Sequence, residues 1–172
     1  MEWDRGLDYK RTYKELLRRL REHLSRRAYT SFCYASILLI QLRNGSRVSE
    51  ALEAARKFIE EGSRKVKVRV RKRSDDHKRL MIMPEELKHQ DLRICIDILN
   101  EDEAKVLNRV KVYAEKVLNI NTHSLRYAYI TYLLKNGVNP AIVAKITGHK
   151  KLDYILKYTQ VRTAEEALEK IR

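Results

Sequence analysis

The sequence predicts a mainly α-helical fold with one small antiparallel β-hairpin, on three observations. Apolar residues recur at three- and four-residue steps through most of the chain, strict two-residue alternation occurs in the stretch "KVKVRVRKR", and helix-capping signals punctuate the rest. The 172 residues suffice for one domain with a real core and are short for two, so residues 1–172 are expected to form a single domain.

In the first third, Tyr13, Leu16, Leu17, Leu20 and Leu24 lie on helical spacing with basic residues between them. A second helix, about Thr30 to Arg43, stops at Asn44-Gly45, where glycine can take the left-handed cap conformation. "SRVSEALEAARKFIEEG" is a short amphipathic helix ended by Gly62. Val66, Val68 and Val70 then face one way and Lys67, Arg69 and Arg71 the other, which is the pattern of a half-buried strand with a basic outer face. "SDDH" supplies a turn, and "KRLMIMP" is the return strand, stopped by Pro84.

From Asn100, "NEDEAKVLNRVKVYAEKVL" opens with a capping-box-like Asn100 and Glu103 and carries the apolar stripe Val106, Leu107, Val110, Ala114 and Val117. Thr122 is the expected cap of a helix running to "LLKNG". Asn139-Pro140 is a cap followed by a first-turn proline, opening a short helix that stops at Gly148. A further helix should carry "LDYILKYTQ", and Thr163 with Glu166 should cap a last one.

Composition narrows the function classes. The most apolar stretch, "YASILLIQL", falls far short of the roughly 20 residues that span a bilayer, and "MEWDRGLDYK" has no apolar signal core, so a cytoplasmic protein with no membrane partner is expected. Cys33 and Cys95 sit in apolar helical patterns without CxxC spacing, which predicts buried reduced thiols rather than a disulfide or a zinc site. The formal charge is +14, from 37 Lys and Arg against 23 Asp and Glu, with nine cations between Arg5 and Arg27 and ten between Lys57 and Arg79. Clustering of that kind predicts a face that meets nucleic acid.

The candidate chemistry lies in "NGSRVSEAL" and in "NTHSLRYAYITYLLKNGVNPAIVAKITGHKKLDYILKYTQ". His123 and Arg126 share a helix face in the first turn, where unpaired backbone N–H groups favour an anion such as phosphate. Arg47 follows a glycine turn at a helix start, His149 follows a glycine helix stop, and Tyr158 comes nine residues later. Taken together the pieces resemble the tyrosine recombinase (integrase) superfamily. "NGSRVSEAL" is similar to that family's Gly-x-Arg-x-Ser-Glu-Leu motif, "HSLR" to its H-x-x-R motif, and "ITGHKKLDYILKYTQ" to its Leu-Gly-His segment followed by the nucleophile. The likeness spans about Thr30 to Gln160 and looks nearest to integrases of archaeal viruses and plasmids. It departs from the family in "TGH" for Leu-Gly-His and in a short connection from hairpin to H-x-x-R, and the family's additional N-terminal DNA-clamping domain is not expected in these residues, as for a catalytic fragment or a minimal member.

The resemblance implies the family's catalytic-domain fold and a site-specific recombinase that cuts and rejoins double-stranded DNA at an attachment site. The cut would pass through a 3′-phosphotyrosyl link, with protomers assembling as a tetramer on DNA. Arg47 and Arg126 would hold the phosphate, since guanidiniums donate paired bonds to its oxygens and stay charged. By the same resemblance Tyr158 would be the nucleophile, His123 its proton acceptor, and His149 a hydrogen-bonding partner of the phosphate. A hairpin lysine would protonate the leaving oxygen. Lys72, continuing the Val66, Val68, Val70 face, is preferred and Lys78 is the alternative; Tyr154 competes with Tyr158 on the same helix face. No cofactor or metal is expected. A non-catalytic basic DNA-binding module and a type IB topoisomerase are the competing readings.

Overall fold

The computed structural model describes residues 6–70, 75–151, 153–156 and 161–171. Helix α1 (Tyr9–Ser25) begins at Asp8, whose carboxylate accepts from the Arg11 amide at 2.8 Å, and buries Leu16 and Leu20. Helix α2 (Tyr29–Asn44) differs from it in kind. It is apolar all round, every residue from Phe32 to Leu42 is buried, and α1 packs around it together with α3 (Val48–Glu61), α6 (Glu103–Leu118) and α7 (Thr122–Lys135). A helix without a polar face has to be enclosed. Ile37, Leu38, Leu39 and Ile40 are fully buried, each contributing about 2 kcal/mol of transfer free energy, so packing rather than propensity holds α2.

Strands β1 (Lys65–Arg69) and β2 (Lys78–Ile82) form the antiparallel hairpin, with Val66 opposite Met81 and Val68 opposite Arg79. Val66, Val68, Arg79 and Met81 face inward; Lys65, Lys67, Arg69, Lys78 and Leu80 are exposed. Two short helices not foreseen from the sequence follow, α4 (His89–Leu92) and α5 (Ile96–Leu99), joined by a 3-10 turn at Arg93–Cys95. The remaining helices are α6 (Glu103–Leu118), α7 (Thr122–Lys135), α8 (Pro140–Thr147), α9 (Asp153–Leu156) and α10 (Val161–Lys170). The expected mainly helical fold with one hairpin is the observed one. Its main core runs from α1 to α7, and a smaller cluster of Ile130, Val143, Ala144 and Ile155 ties α8 and α9 to α7.

Several local expectations shift. Helix α6 is capped by Asp102, which accepts from the Lys105 amide at 3.2 Å, not by Asn100. Asn121, accepting from the Ser124 amide at 2.9 Å, caps α7 in place of Thr122, which is the first helical residue. Asn121 is a stronger cap than Thr122, whereas Asp102 and Asn100 are equivalent caps two residues apart, between which the side chain alone does not choose. Helix α10 starts at Val161, so Thr163 and Glu166 lie inside it and do not cap it. Asn139 and Pro140 open α8 as expected. Of "LDYILKYTQ", α9 covers Asp153–Leu156, and residues 157–160 lie outside the described residues.

The cysteines require a correction. Cys33 and Cys95 form a disulfide, with Cα atoms 5.7 Å apart, and are not two reduced thiols. Both are buried, as their apolar surroundings demand, but the 3-10 turn lays Cys95 against α2. No local pattern reveals a contact between residues 62 apart in sequence. No described helix is long and apolar enough to cross a membrane.

Candidate active site

Three segments meet at the C-terminal end of α2, and two of its buried amide side chains hold them there. Gln41 Nε2 donates to the Ser46 carbonyl at 3.1 Å and to the Thr122 carbonyl at 2.9 Å, joining the turn after α2 to the first turn of α7. Asn44 behaves as a backbone mimic toward β2: its Nδ2 donates to the Ile82 carbonyl at 2.9 Å and its Oδ1 accepts from the Ile82 amide at 2.8 Å. Directly after Asn44, Gly45 adopts φ 58°, and a Cβ there would lie 2.3 Å from Cδ1 of Tyr129 on α7. Both the left-handed backbone and the ring require glycine. The turn carrying Arg47 is thus pressed against the helix carrying His123 and Arg126.

Arg126 is only 2% exposed. Its Nη1 donates to the Gly45 carbonyl at 3.1 Å, and its Nη2 lies 3.0 Å from Nε2 of His149. His149 arrives there through the left-handed turn at Gly148, φ 78°, where a Cβ would stand 2.8 Å from Cγ2 of Val70. The end of the outgoing strand therefore touches the turn that presents His149, whose amide closes α8 by donating to the Ala144 carbonyl at 2.9 Å.

Arg47 is the N-cap residue of α3, and its amide donates to Glu50 Oε1 at 3.3 Å, the reciprocal half of a capping box. Its Nη1 reaches Glu50 Oε2 at 3.0 Å. Glu50 is fully buried and its other oxygen lies 3.7 Å from Nη1 of Arg79, so one carboxylate stands between two guanidiniums. Arg79, inward-facing on β2, donates through Nη2 to the Asn44 carbonyl at 2.5 Å and through Nη1 to the Thr147 carbonyl at 3.4 Å.

Burial drives the electrostatics. It pushes Arg126 down to about 9, with the charge of Arg47 adding to the effect, and pushes Arg79 down to about 10 against the pull of Glu50. Both remain cationic at neutral pH. Arg47, Arg79 and Arg126 thus set three positive charges against the one carboxylate of Glu50 in a poorly hydrated site, an arrangement that favours an incoming anion with oxygens to share. His123 stands in the first turn of α7, half-buried, with its ring edge-on to Tyr127 at 5.4 Å.

Of the candidates from the sequence, Arg47, Arg126 and His149 come together, and His123 lies on the same helix as Arg126, one turn earlier. Lys72 and Tyr158 fall outside the described residues. Lys78, the alternative lysine, sits on the exposed face of β2 beside Leu80, while its neighbour Arg79 turns inward. Tyr154 is on α9, which the buried Ile155 anchors to α7 and α8. Sequence reasoning missed Arg79 and Glu50. The parity of β2 carried the first, because Met81 and Met83 inward imply Arg79 inward; the i, i+3 spacing from Arg47 carried the second.

Arg18 and Arg19 on α1 and Arg26 at its C-cap pair with Glu15 or Glu22, which tempers the N-terminal basic cluster. The outer face of the hairpin, with Lys65, Lys67, Arg69 and Lys78, presents cations beside the site.

Comparison with known proteins places these features in context. The sequence profile of the Phage integrase family matches residues 97–165. The chain is 41% identical over 169 residues to the candidate integrase ORF241 of Acidianus two-tailed virus, covering 98% of this chain and 68% of that protein. It is 39% identical over 66 residues to the tyrosine recombinase XerA of Pyrococcus horikoshii, covering 37% of this chain and 23% of that one. In three dimensions it resembles the crystal structure of XerA recombinase with a TM-score of 0.53 at 20% identity, over 92% of this chain and 64% of that chain. At that identity the likeness concerns the fold.

Proposed function

Because the chain belongs to the phage integrase family of tyrosine recombinases, we propose that it is a single catalytic domain that cuts and rejoins DNA strands through a 3′-phosphotyrosyl intermediate. The observation that carries this reading is the convergence of Arg47, Arg126 and His149 from three separate segments, with Arg126 bonded to both the Gly45 turn and His149.

A phosphodiester repels nucleophiles through the charge on its two free oxygens, and the pentavalent transition state concentrates more charge there. Arg47, the more accessible guanidinium with 20% of its side chain exposed, and Arg126 beneath it take those oxygens. Tyr158 attacks phosphorus. Its ordinary pKa near 10 leaves it protonated at neutral pH, so His123 accepts the phenolic proton as the P–O bond forms. The bond to the 5′-oxygen breaks, and Lys72 protonates that leaving group. The products are a tyrosyl 3′-phosphodiester and a free 5′-hydroxyl. Attack by a 5′-hydroxyl of a partner duplex reverses the sequence without an external energy source, and protomers assemble as a tetramer on the attachment site to coordinate the exchange.

The experiment is incubation with a nicked duplex whose cleaved end diffuses away, followed by mass spectrometry of the denaturant-resistant adduct. A tyrosyl adduct at Tyr158 is the expected result, lost in Tyr158→Phe while DNA binding persists. An adduct on Tyr154 overturns the nucleophile assignment, and DNA binding with no adduct at all supports the binding-module reading.

A further inference from the structure

We propose that Thr147 is a positioning residue for His149: its hydroxyl fixes which ring nitrogen carries the proton, so that Nε2 is the nitrogen presented to the arginine cluster. The proposal rests on the recombinase reading above and concerns a position where this chain departs from the Leu-Gly-His pattern it otherwise resembles.

Thr147 is the last residue of α8 and is fully buried. Its Oγ1 lies 2.8 Å from the Val143 carbonyl and 2.6 Å from Nδ1 of His149. A carbonyl oxygen only accepts, so the hydroxyl proton goes to Val143. The lone pairs of Oγ1 then face Nδ1, which must carry the hydrogen and donate it. In the neutral ring Nε2 is left with the lone pair; Arg126 Nη2 lies 3.0 Å from Nε2 and 3.3 Å from Nδ1, so the choice between the two nitrogens falls to the Thr147 hydroxyl. The other tautomer would set two lone pairs against each other at 2.6 Å, or take the hydroxyl proton away from Val143.

The same residue is held from its backbone side, since its carbonyl accepts from Arg79 Nη1 at 3.4 Å. Left-handed Gly148 and the His149 amide bond to Ala144 fix the two residues between which the ring must turn. When Nε2 takes up a proton, the cation donates through both nitrogens, Nδ1 still to Thr147 and Nε2 to a phosphate oxygen. When Nε2 gives that proton back, Nδ1 keeps its own. Thr147 loses and gains nothing in the cycle. A leucine side chain has neither donor nor acceptor and could not impose this choice.

The test compares the parent chain with Thr147→Val, which keeps the shape and deletes the hydroxyl, and Thr147→Ser, which keeps the hydroxyl. Long-range proton–nitrogen NMR of histidine reads the protonated nitrogen of His149 in the free protein, and the nicked duplex reads the rate of adduct formation. The parent and the Ser variant should show His149 protonated at Nδ1. In the Val variant the ring should shift toward Nε2–H, with adduct formation slowed about tenfold, the effect of one net hydrogen bond. Should the branched side chain disturb α8 in melting curves, Thr147→Ala removes the same hydroxyl. A hydroxyl-deleted variant whose ring stays protonated at Nδ1, or which cleaves at the parent rate, overturns the proposal. A parent chain that forms no adduct overturns the recombinase reading instead, and the nitrogen spectra still decide this one.

Discussion

Arg126 places its Nη2 3.0 Å from Nε2 of His149 and its Nη1 3.1 Å from the Gly45 carbonyl, so one planar group clamps two segments that the chain separates by 81 and 23 residues from its own position. A lysine carries the same charge as a single point on a flexible stem and cannot hold both partners. Arg126→Lys should therefore bind DNA at near-parent affinity yet form the covalent adduct more slowly by a factor on the order of 10² to 10³, the usual loss for one preorganised donor. Single-turnover kinetics on the nicked duplex measure it, and parent-like rates would remove Arg126 from the cleavage step.

Glu50 is expected to matter chiefly for stability. Replacing it with Gln leaves Arg79, with 2% of its side chain exposed, without its carboxylate. Breaking a buried pair from one side costs about 3 kcal/mol or more. Denaturant unfolding of Glu50→Gln should show a fall of that size in stability, while a midpoint unchanged from the parent would mean that the carboxylate is not compensating these arginines.

The disulfide should act on stability without touching the chemistry. Cross-linking Cys33 to Cys95 closes a loop of 62 residues, for which the chain-entropy account gives about 4 kcal/mol. Cys33 stands near the start of α2, about 16 Å along the helix from Asn44. Reduction should lower the melting temperature markedly yet leave adduct formation intact at temperatures where the reduced chain is folded. Equal melting of oxidised and reduced protein contradicts this.

Alkaline pH should expose the buried tyrosines. Burial pushes Tyr9 and Tyr113 up to about 12, and Tyr113 shares a 2.7 Å hydrogen bond with His23. Between about pH 10 and 12 the folded chain holds phenolic protons that the unfolded chain has released. Stability from these groups is thus fully present below pH 10 and is lost as pH rises through 12. Absorbance titration at alkaline pH, followed alongside unfolding, should show a late tyrosine class that titrates together with loss of structure. A single titration near pH 10 in a folded protein would be the contrary result.

Removing divalent metal should not affect the reaction as proposed, because guanidiniums stabilise the phosphate. Adduct formation in excess EDTA should match the untreated rate; abolition by EDTA, restored by added magnesium, would require a different mechanism.

The sequence carried the helices and the hairpin because their signals are periodic and local. Val66, Val68 and Val70 alternate, and Asn139-Pro140 and Gly148 bracket α8. Residues 84–99 carried no such period, since α4, the 3-10 turn and α5 are each four residues or fewer, too short to show one. Arg47, Arg126 and His149 were legible as motif positions. What stayed hidden were groups whose importance lies in long-range contacts: Asn44 meeting Ile82, Gln41 meeting Thr122, and Cys33 meeting Cys95. Thr147 lay in plain view in "TGH", but its hydroxyl acquires meaning only from the angle at which α8 ends.

The end of α2 works as a common datum. The Arg47 turn, the start of α7 and β2 are each referenced to it, through Gln41 for the first two and Asn44 for the third, besides the contacts they make with one another. Positional errors in such a mount do not accumulate from part to part. The length of the connection between Pro84 and Asn121 therefore does not by itself set where the reacting groups stand, which is how a short connection from hairpin to H-x-x-R is compatible with an assembled site.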